Sequence, residues 1–121
     1  MLTITDGEGI SRALKLPIDP RLKRLLIERR DQFGGDIKDQ VRFIIAESQD
    51  TLEAVEEVLG FVGLSDPEHS FGCEWVANHS GIYEAVWILA DDGYAHVVLA
   101  SKQDADPELL KLCEMYVTDK G

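Results

Sequence analysis

The dipeptides Ser80-Gly81 and Asp92-Gly93 constrain this chain more than any other feature, because each interrupts runs rich in Trp, Val, Ile, Leu and Tyr. Asp-Gly between alternating apolar runs is the strongest short-range hairpin signal, and the flanking residue types suit a pleated surface. The segment from Phe71 to Lys102 is therefore expected to form three consecutive antiparallel strands.

If both turns have two central residues, His79 lies opposite Ile82 and Asp91 opposite Tyr94, and side-chain alternation fixes the two faces. One face then carries Cys73, Trp75, Ala77, Val86, Ile88, Ala90, Ala95, Val97 and Leu99, with Glu84 at its rim; this face reads as core. The other carries Glu74, Val76, Asn78, Tyr83, Ala85, Trp87, Leu89, His96, Val98 and Ala100. On it Trp87 has Glu74 on one side and Val98 on the other, with His96 one pleat along, opposite Leu89. Glu74 and His96 are then separated by two strand spacings, about 10 Å, too far for a direct hydrogen bond.

This second face is too apolar to stay wet. Trp87, Leu89, Val76 and Val98 require a cover, supplied by a helix, by a second copy or protein partner, or by a small ligand in a groove. Together with Glu74, His96 and Tyr83 they form the candidate binding surface.

The rest of the chain supplies helices and one further strand. Asp19-Pro20 is an N-cap followed by proline at the first helical position, and Leu22, Leu25, Leu26, Arg29 and Phe33 share one face, which predicts a helix from Pro20 to Phe33. Gln40 to Glu47 contains Val41-Arg42-Phe43-Ile44-Ile45-Ala46 and reads as a largely buried strand. Asp50 with Glu53 resembles a capping box ahead of the stripe Leu52, Val55 and Leu59, which Gly60 ends. Phe61 to Ser70 reads as a loop. Asp106-Pro107 opens a terminal helix carrying Leu109, Leu110, Leu112, Cys113, Tyr116 and Val117. The expected architecture is a single α+β domain spanning 1–121: an antiparallel sheet of about four strands, including the three-stranded meander, with about three helices.

At 121 residues and 45% hydrophobic content, one core can be buried without staples. No apolar run approaches the roughly 20 residues that span a bilayer, and Met1 to Glu8 has neither a positive leader nor an apolar export core, so a cytosolic chain is expected. Cys73 and Cys113 then read as reduced core residues.

The formal charge is −11 and unevenly spread. Arg12, Lys15, Arg21, Lys23, Arg24, Arg29 and Arg30 against Asp19 and Glu28 give +5 between positions 12 and 30, leaving −16 for the remainder. Such a field disfavours nucleic acid and membrane surfaces and attracts basic proteins, while the basic helix suits an acidic patch or a phosphate.

Signatures of catalysis are weak throughout. His69, Cys73 and His79 invite a zinc reading, but Cys73 and His79 on one strand lie roughly 20 Å apart, whereas zinc bonds are near 2 Å. No Cys-His nucleophile arrangement, calcium loop or nucleotide-binding glycine pattern is present, and Gly7-Glu8-Gly9 is isolated. No catalytic residue, metal ligand or cofactor is therefore assigned. The expected function is a non-enzymatic acidic protein that inhibits, neutralises or adapts a basic protein partner and forms a homodimer through the mixed face. The alternative is a small-molecule-binding protein or cofactor-free enzyme with a pocket around Trp87, Glu74, His96 and Tyr83.

Overall fold

The computed structural model describes residues 1–47, 49–59, 73–88 and 93–115. The chain is α+β, built on one mixed five-stranded sheet with helices on both sides. Its strands are β1 (Leu2–Ile4), β2 (Val41–Ala46), β3 (Cys73–His79), β4 (Ile82–Ile88) and β5 (Ala95–Ser101), in the order β1-β2-β5-β4-β3. Among the described residues the helices are α1 (Gly7–Ala13), α2 (Pro20–Phe33), α3 (Ile37–Gln40), α4 (Leu52–Leu59) and α5 (Pro107–Met115), with a 3-10 turn at Gly34–Asp36.

Three features correct the expected four-stranded antiparallel sheet with three helices. β1 pairs with β2, and three residues are too few to carry a periodicity signal. β2 pairs parallel to β5, with Phe43 opposite Val97 and Ile45 opposite Leu99. That contact is non-local, and no turn motif in the sequence marks it. α1 and α3 are additional helices; α1 begins in the glycine-rich segment that propensity disfavours. The Asp6 carboxylate accepts from Gly9 N at 2.7 Å and caps the first turn. A Cβ at Gly9 would lie 3.1 Å from Ile4 Cγ2, so glycine lets α1 sit close against β1.

The hairpin β3–β4 has the expected register, His79 opposite Ile82 and Asn78 opposite Tyr83, with Gly81 at φ 83°. Between Cys73 and Trp75 a bulge inserts one residue, so Cys73 rather than Glu74 lies opposite Trp87. The β4–β5 register differs from the expected one by two residues: Trp87 faces His96, and Val98 faces Ala85. A shift of two preserves which face every side chain occupies, so the division into two faces survives on β4 and β5, whereas the one-residue bulge interrupts it at the start of β3. Leu89, Ala90 and Asp91 lie outside the described residues, as do the side chains of Cys73, Glu74, Trp75 and Ile88. The loop expected at Phe61 to Ser70 also falls outside them, as do Gly60, Tyr116 and Val117.

Both faces are covered by the chain's own helices. On one side Val41, Phe43, Ile45, Ile82, Val97 and Leu99 pack against Ile10 of α1, Leu22, Leu25 and Leu26 of α2, and Ile37 of α3. On the other, Ile44, Ala46, Val76, Ala85, Trp87, Val98 and Ala100 pack against Leu52, Val55 and Leu59 of α4 and Leu109, Leu112 and Cys113 of α5. Within the described residues, the stripes expected on these helices are the ones that pack. Thr51, not Asp50, caps α4, its hydroxyl accepting from Ala54 N at 3.2 Å. The Asp106 carboxylate accepts from Leu52 N at 3.0 Å, tying the start of α4 to the residue ahead of α5. No helix among the described residues is long and apolar enough to cross a membrane.

Leu109 is wholly buried where α5 meets the sheet. Leu109→Ala is expected to destabilise the fold by about 2–5 kcal/mol in urea melts, as truncation of a buried leucine does; a loss near zero would mean that α5 does not close this face.

Candidate functional site

Among the side chains of β4 that point toward α2, Glu84 is the acidic one, and it is only 2% exposed. A carboxylate so placed needs a compensating charge. Arg29 supplies it from the buried stripe of α2: Nε donates to Oε2 at 2.7 Å and Nη2 to Oε1 at 2.6 Å, a two-point fork. Arg29 Nη1 also donates to Gln32 Oε1 at 3.0 Å, on the next turn of the same helix.

His79 completes the cluster from β3. Ala77 is the direct cross-strand partner of Glu84, so His79 is its diagonal neighbour, with Nε2 3.0 Å from Glu84 Oε1. Burial pushes the Glu84 carboxyl upward, but the hydrogen bonds and charges of Arg29 and His79 outweigh it and hold the group below the usual glutamate range. Bonding to Glu84 likewise raises Arg29. An ionised carboxylate only accepts, so His79 Nε2 carries a proton and Nδ1 is the ring nitrogen not engaged by Glu84.

Two clefts flank this cluster between α2 and the sheet. One, of about 230 Å³, is lined by Arg21, Arg24, Leu25, Glu28, His79, Ser80 and Ile82. The other, of about 220 Å³, is lined by Arg29, Gln32, Phe33, Val41, Glu84, Val86, Ala95 and Val97. A third and larger cleft, of about 380 Å³, lies beyond the start of α2 and is bordered by Leu16, Pro17, Ile18, Leu22 and Ser101.

The candidate binding surface drawn from the sequence is placed differently. Trp87 is 1% exposed, and Val76 and Val98 are equally enclosed in the layer beneath α4 and α5. The cover these residues needed is therefore provided within the chain. His96 is buried directly across from Trp87, rather than one pleat along. Tyr83 is half-buried, with the Lys102 ammonium 4.5 Å from its ring centroid and burial raising its hydroxyl. Lys102 also donates to Asn78. Leu89 and the side chain of Glu74 lie outside the described residues. Trp87 Nε1 has no hydrogen-bond partner among the described residues. Also among them, no group of three His, Cys, Asp or Glu side chains is arranged to hold a metal ion, and Cys73 and His79 occupy opposite ends of β3.

Sequence reasoning missed the Arg29–Glu84–His79 cluster although its signal was present. Arg29 falls on the buried stripe of α2 and Glu84 on the core face of β4, an acid and a base at positions that must meet once helix and sheet pack. No protein-family model, curated protein or solved structure matches the chain.

Glu84→Gln leaves Arg29 without its counter-charge. The expected cost at neutral pH is about 3 kcal/mol, the low end for broken buried pairs because Arg29 remains 20% exposed and can hydrate. A depressed native pKa contributes stability that is present above the unfolded value and lost as pH falls through the native one. The gap between wild type and Glu84→Gln in urea melts should therefore narrow between pH 7 and about pH 3, below the ordinary glutamate range. A gap that does not change with pH would show that the pair contributes no net charge stabilisation.

Proposed function

We propose that the chain is a small acidic interaction domain that receives a basic protein partner on the outer surface of α4 and α5. The observation that carries this reading is the separation of charge across the sheet. α2, on one side, has five basic and two acidic residues; α4 and α5, on the other, have five acidic and one basic. Glu53, Glu57, Glu108 and Glu114 are exposed on that second layer. Val58 and Met115 stand on the same layer, 49% and 52% exposed.

Exposed carboxylates around accessible apolar tips suit a partner that brings Lys or Arg together with a hydrophobic anchor. The overall charge of −11 works against phosphate backbones and anionic lipid surfaces. Because α4 and α5 fill the mixed sheet face, any self-association is also assigned to outer helix surfaces, with the acidic layer of one copy meeting the basic α2 of another. A pocket around Trp87 is not retained, since that side chain is core.

A fluorescent amphipathic peptide rich in Lys and Arg tests the reading. Its association rate should fall steeply from low to physiological salt while dissociation changes less. Reversing Glu53, Glu57 and Glu114 together to Lys should slow association about tenfold or more at low salt with an unchanged far-UV spectrum. Salt-independent association, or indifference to the triple reversal, would remove the acidic layer as the docking surface. Sedimentation of the chain alone at low salt separates partner binding from self-association.

A further inference from the structure

We propose that the cleft between α2 and the β3–β4 turn binds the phosphate group of a small phosphorylated molecule, held by Arg21, Arg24 and His79. The first ground is an excess of unmatched cations at one spot. The chain has 23 acidic residues against 12 basic ones, so most basic side chains have carboxylates to choose from. Arg12 lies 3.9 Å from Glu8, Arg30 lies 3.8 Å from Asp31, and Arg29 is committed to Glu84. Arg21 and Arg24, like Lys15, Lys23 and Lys38, form no ion pair among the described residues. What sets them apart is that both line this cleft with His79, and both also border the opening beside Asp19 and Asp104. They are three residues apart on α2 and thus project from neighbouring turns of one face. Planar guanidinium forks are the side chains best matched to phosphate oxygens.

The second ground is that the opposite wall is built to receive them. Gly81 has φ 83° and lies directly beneath the Arg21 side chain; a Cβ there would sit 2.9 Å from Arg21 Cδ and overlap the guanidinium. Glycine suits this turn for its positive φ, and the absence of a Cβ leaves the space in which the Arg21 guanidinium lies over the hairpin. Beside it, His79 is oriented by the buried Glu84, which Arg29 in turn holds, so the imidazole lines the cleft with Nε2–H committed to Glu84 and Nδ1 as an acceptor for the P–OH of a singly protonated phosphate. The Ser80 hydroxyl adds a donor at the same turn.

The third ground concerns size and charge. With Glu28 also on the wall, Arg21 and Arg24 leave the Arg and Glu side chains of the lining at a formal +1, against an anion of one to two negative charges. About 230 Å³ exceeds what a phosphate group alone requires, and Leu25 and Ile82 provide apolar floor for a small carbon skeleton. The N-terminus of α2 takes no part, since the Asp19 carboxylate already accepts from Arg21 N at 2.9 Å.

Titration with phosphoserine and with inorganic phosphate, followed by amide and imidazole NMR shifts, tests the assignment. Saturable shifts confined to His79–Ile82 and the first two turns of α2, with a Kd on the order of 1 mM or tighter for phosphoserine, are expected. Arg24→Gln should weaken binding about tenfold or more, whereas Lys23→Gln removes the same charge from outside the cleft lining and should leave it unchanged. Arg24 is exposed and Lys23 half-buried, so neither belongs to the core, and far-UV circular dichroism checks that the variants fold. No saturable shift, equal losses in the two variants, or equal affinity for acetate would each overturn the proposal.

Discussion

The parallel pairing of β2 with β5 is the constraint from which the rest of the molecule follows. Apart from Arg42 and His96 at one end of the second face, both strands are apolar on each side: Val41, Phe43, Ile45, Val97 and Leu99 on one, Ile44, Ala46, Val98 and Ala100 on the other. A central strand pair of this kind has no side that can face water, so helices are required above and below it. α1, α2 and α3 meet the first requirement, α4 and α5 the second. Once both are met, the mixed face that appears in the sequence as a binding surface is interior, and recognition is left to helix exteriors and to the clefts at the sheet margins.

Much of this was legible from the residues, and the misses have physical causes. The boundaries of α2, the apolar stripes of α4 and α5, and the pairing of His79 with Ile82 depend on local signals: caps, periodicity and a glycine turn. The parallel β2–β5 contact and the added strand β1 depend on long-range packing that no short motif encodes. The β4–β5 register was misread by two residues because it was inferred from a tight Asp92-Gly93 turn. The mixed character of the Trp87 face was correctly seen but left open between internal and external cover. Polar residues such as Asn78, Tyr83 and His96 on an otherwise apolar layer look alike in sequence whether the layer meets a helix or a partner.

Arg29 and Glu84 link these structural facts to function. The pair fastens the middle of α2 to β4, fixes the imidazole of His79 and so shapes both small clefts. A buried carboxylate used in this way is a modest source of net stability, since desolvation offsets much of the attraction. Its larger effect is on geometry: it determines which side chains of α2 face the hairpin turn. Arg21 consequently lies over Gly81 and Arg24 shares the cleft lining with it, while the acidic residues of α4 and α5 occupy the opposite exterior. The two proposed binding surfaces thus lie on opposite sides of one sheet and carry opposite charge.

The enclosure of Trp87 is the point on which this division of interior and exterior rests, and Trp87→Glu measures it most directly. A carboxylate at this 1% exposed position, packed among Val76, Ala85, Val98 and the apolar residues of α4 and α5, loses its hydration and is too costly to bury. The expected result is loss of the cooperative urea transition and of native far-UV circular dichroism, while Trp87→Phe, which keeps an apolar ring at the position, still folds. A Trp87→Glu variant that remains a folded monomer with a native-like spectrum would contradict it, because the face would then be open to solvent and available to a partner.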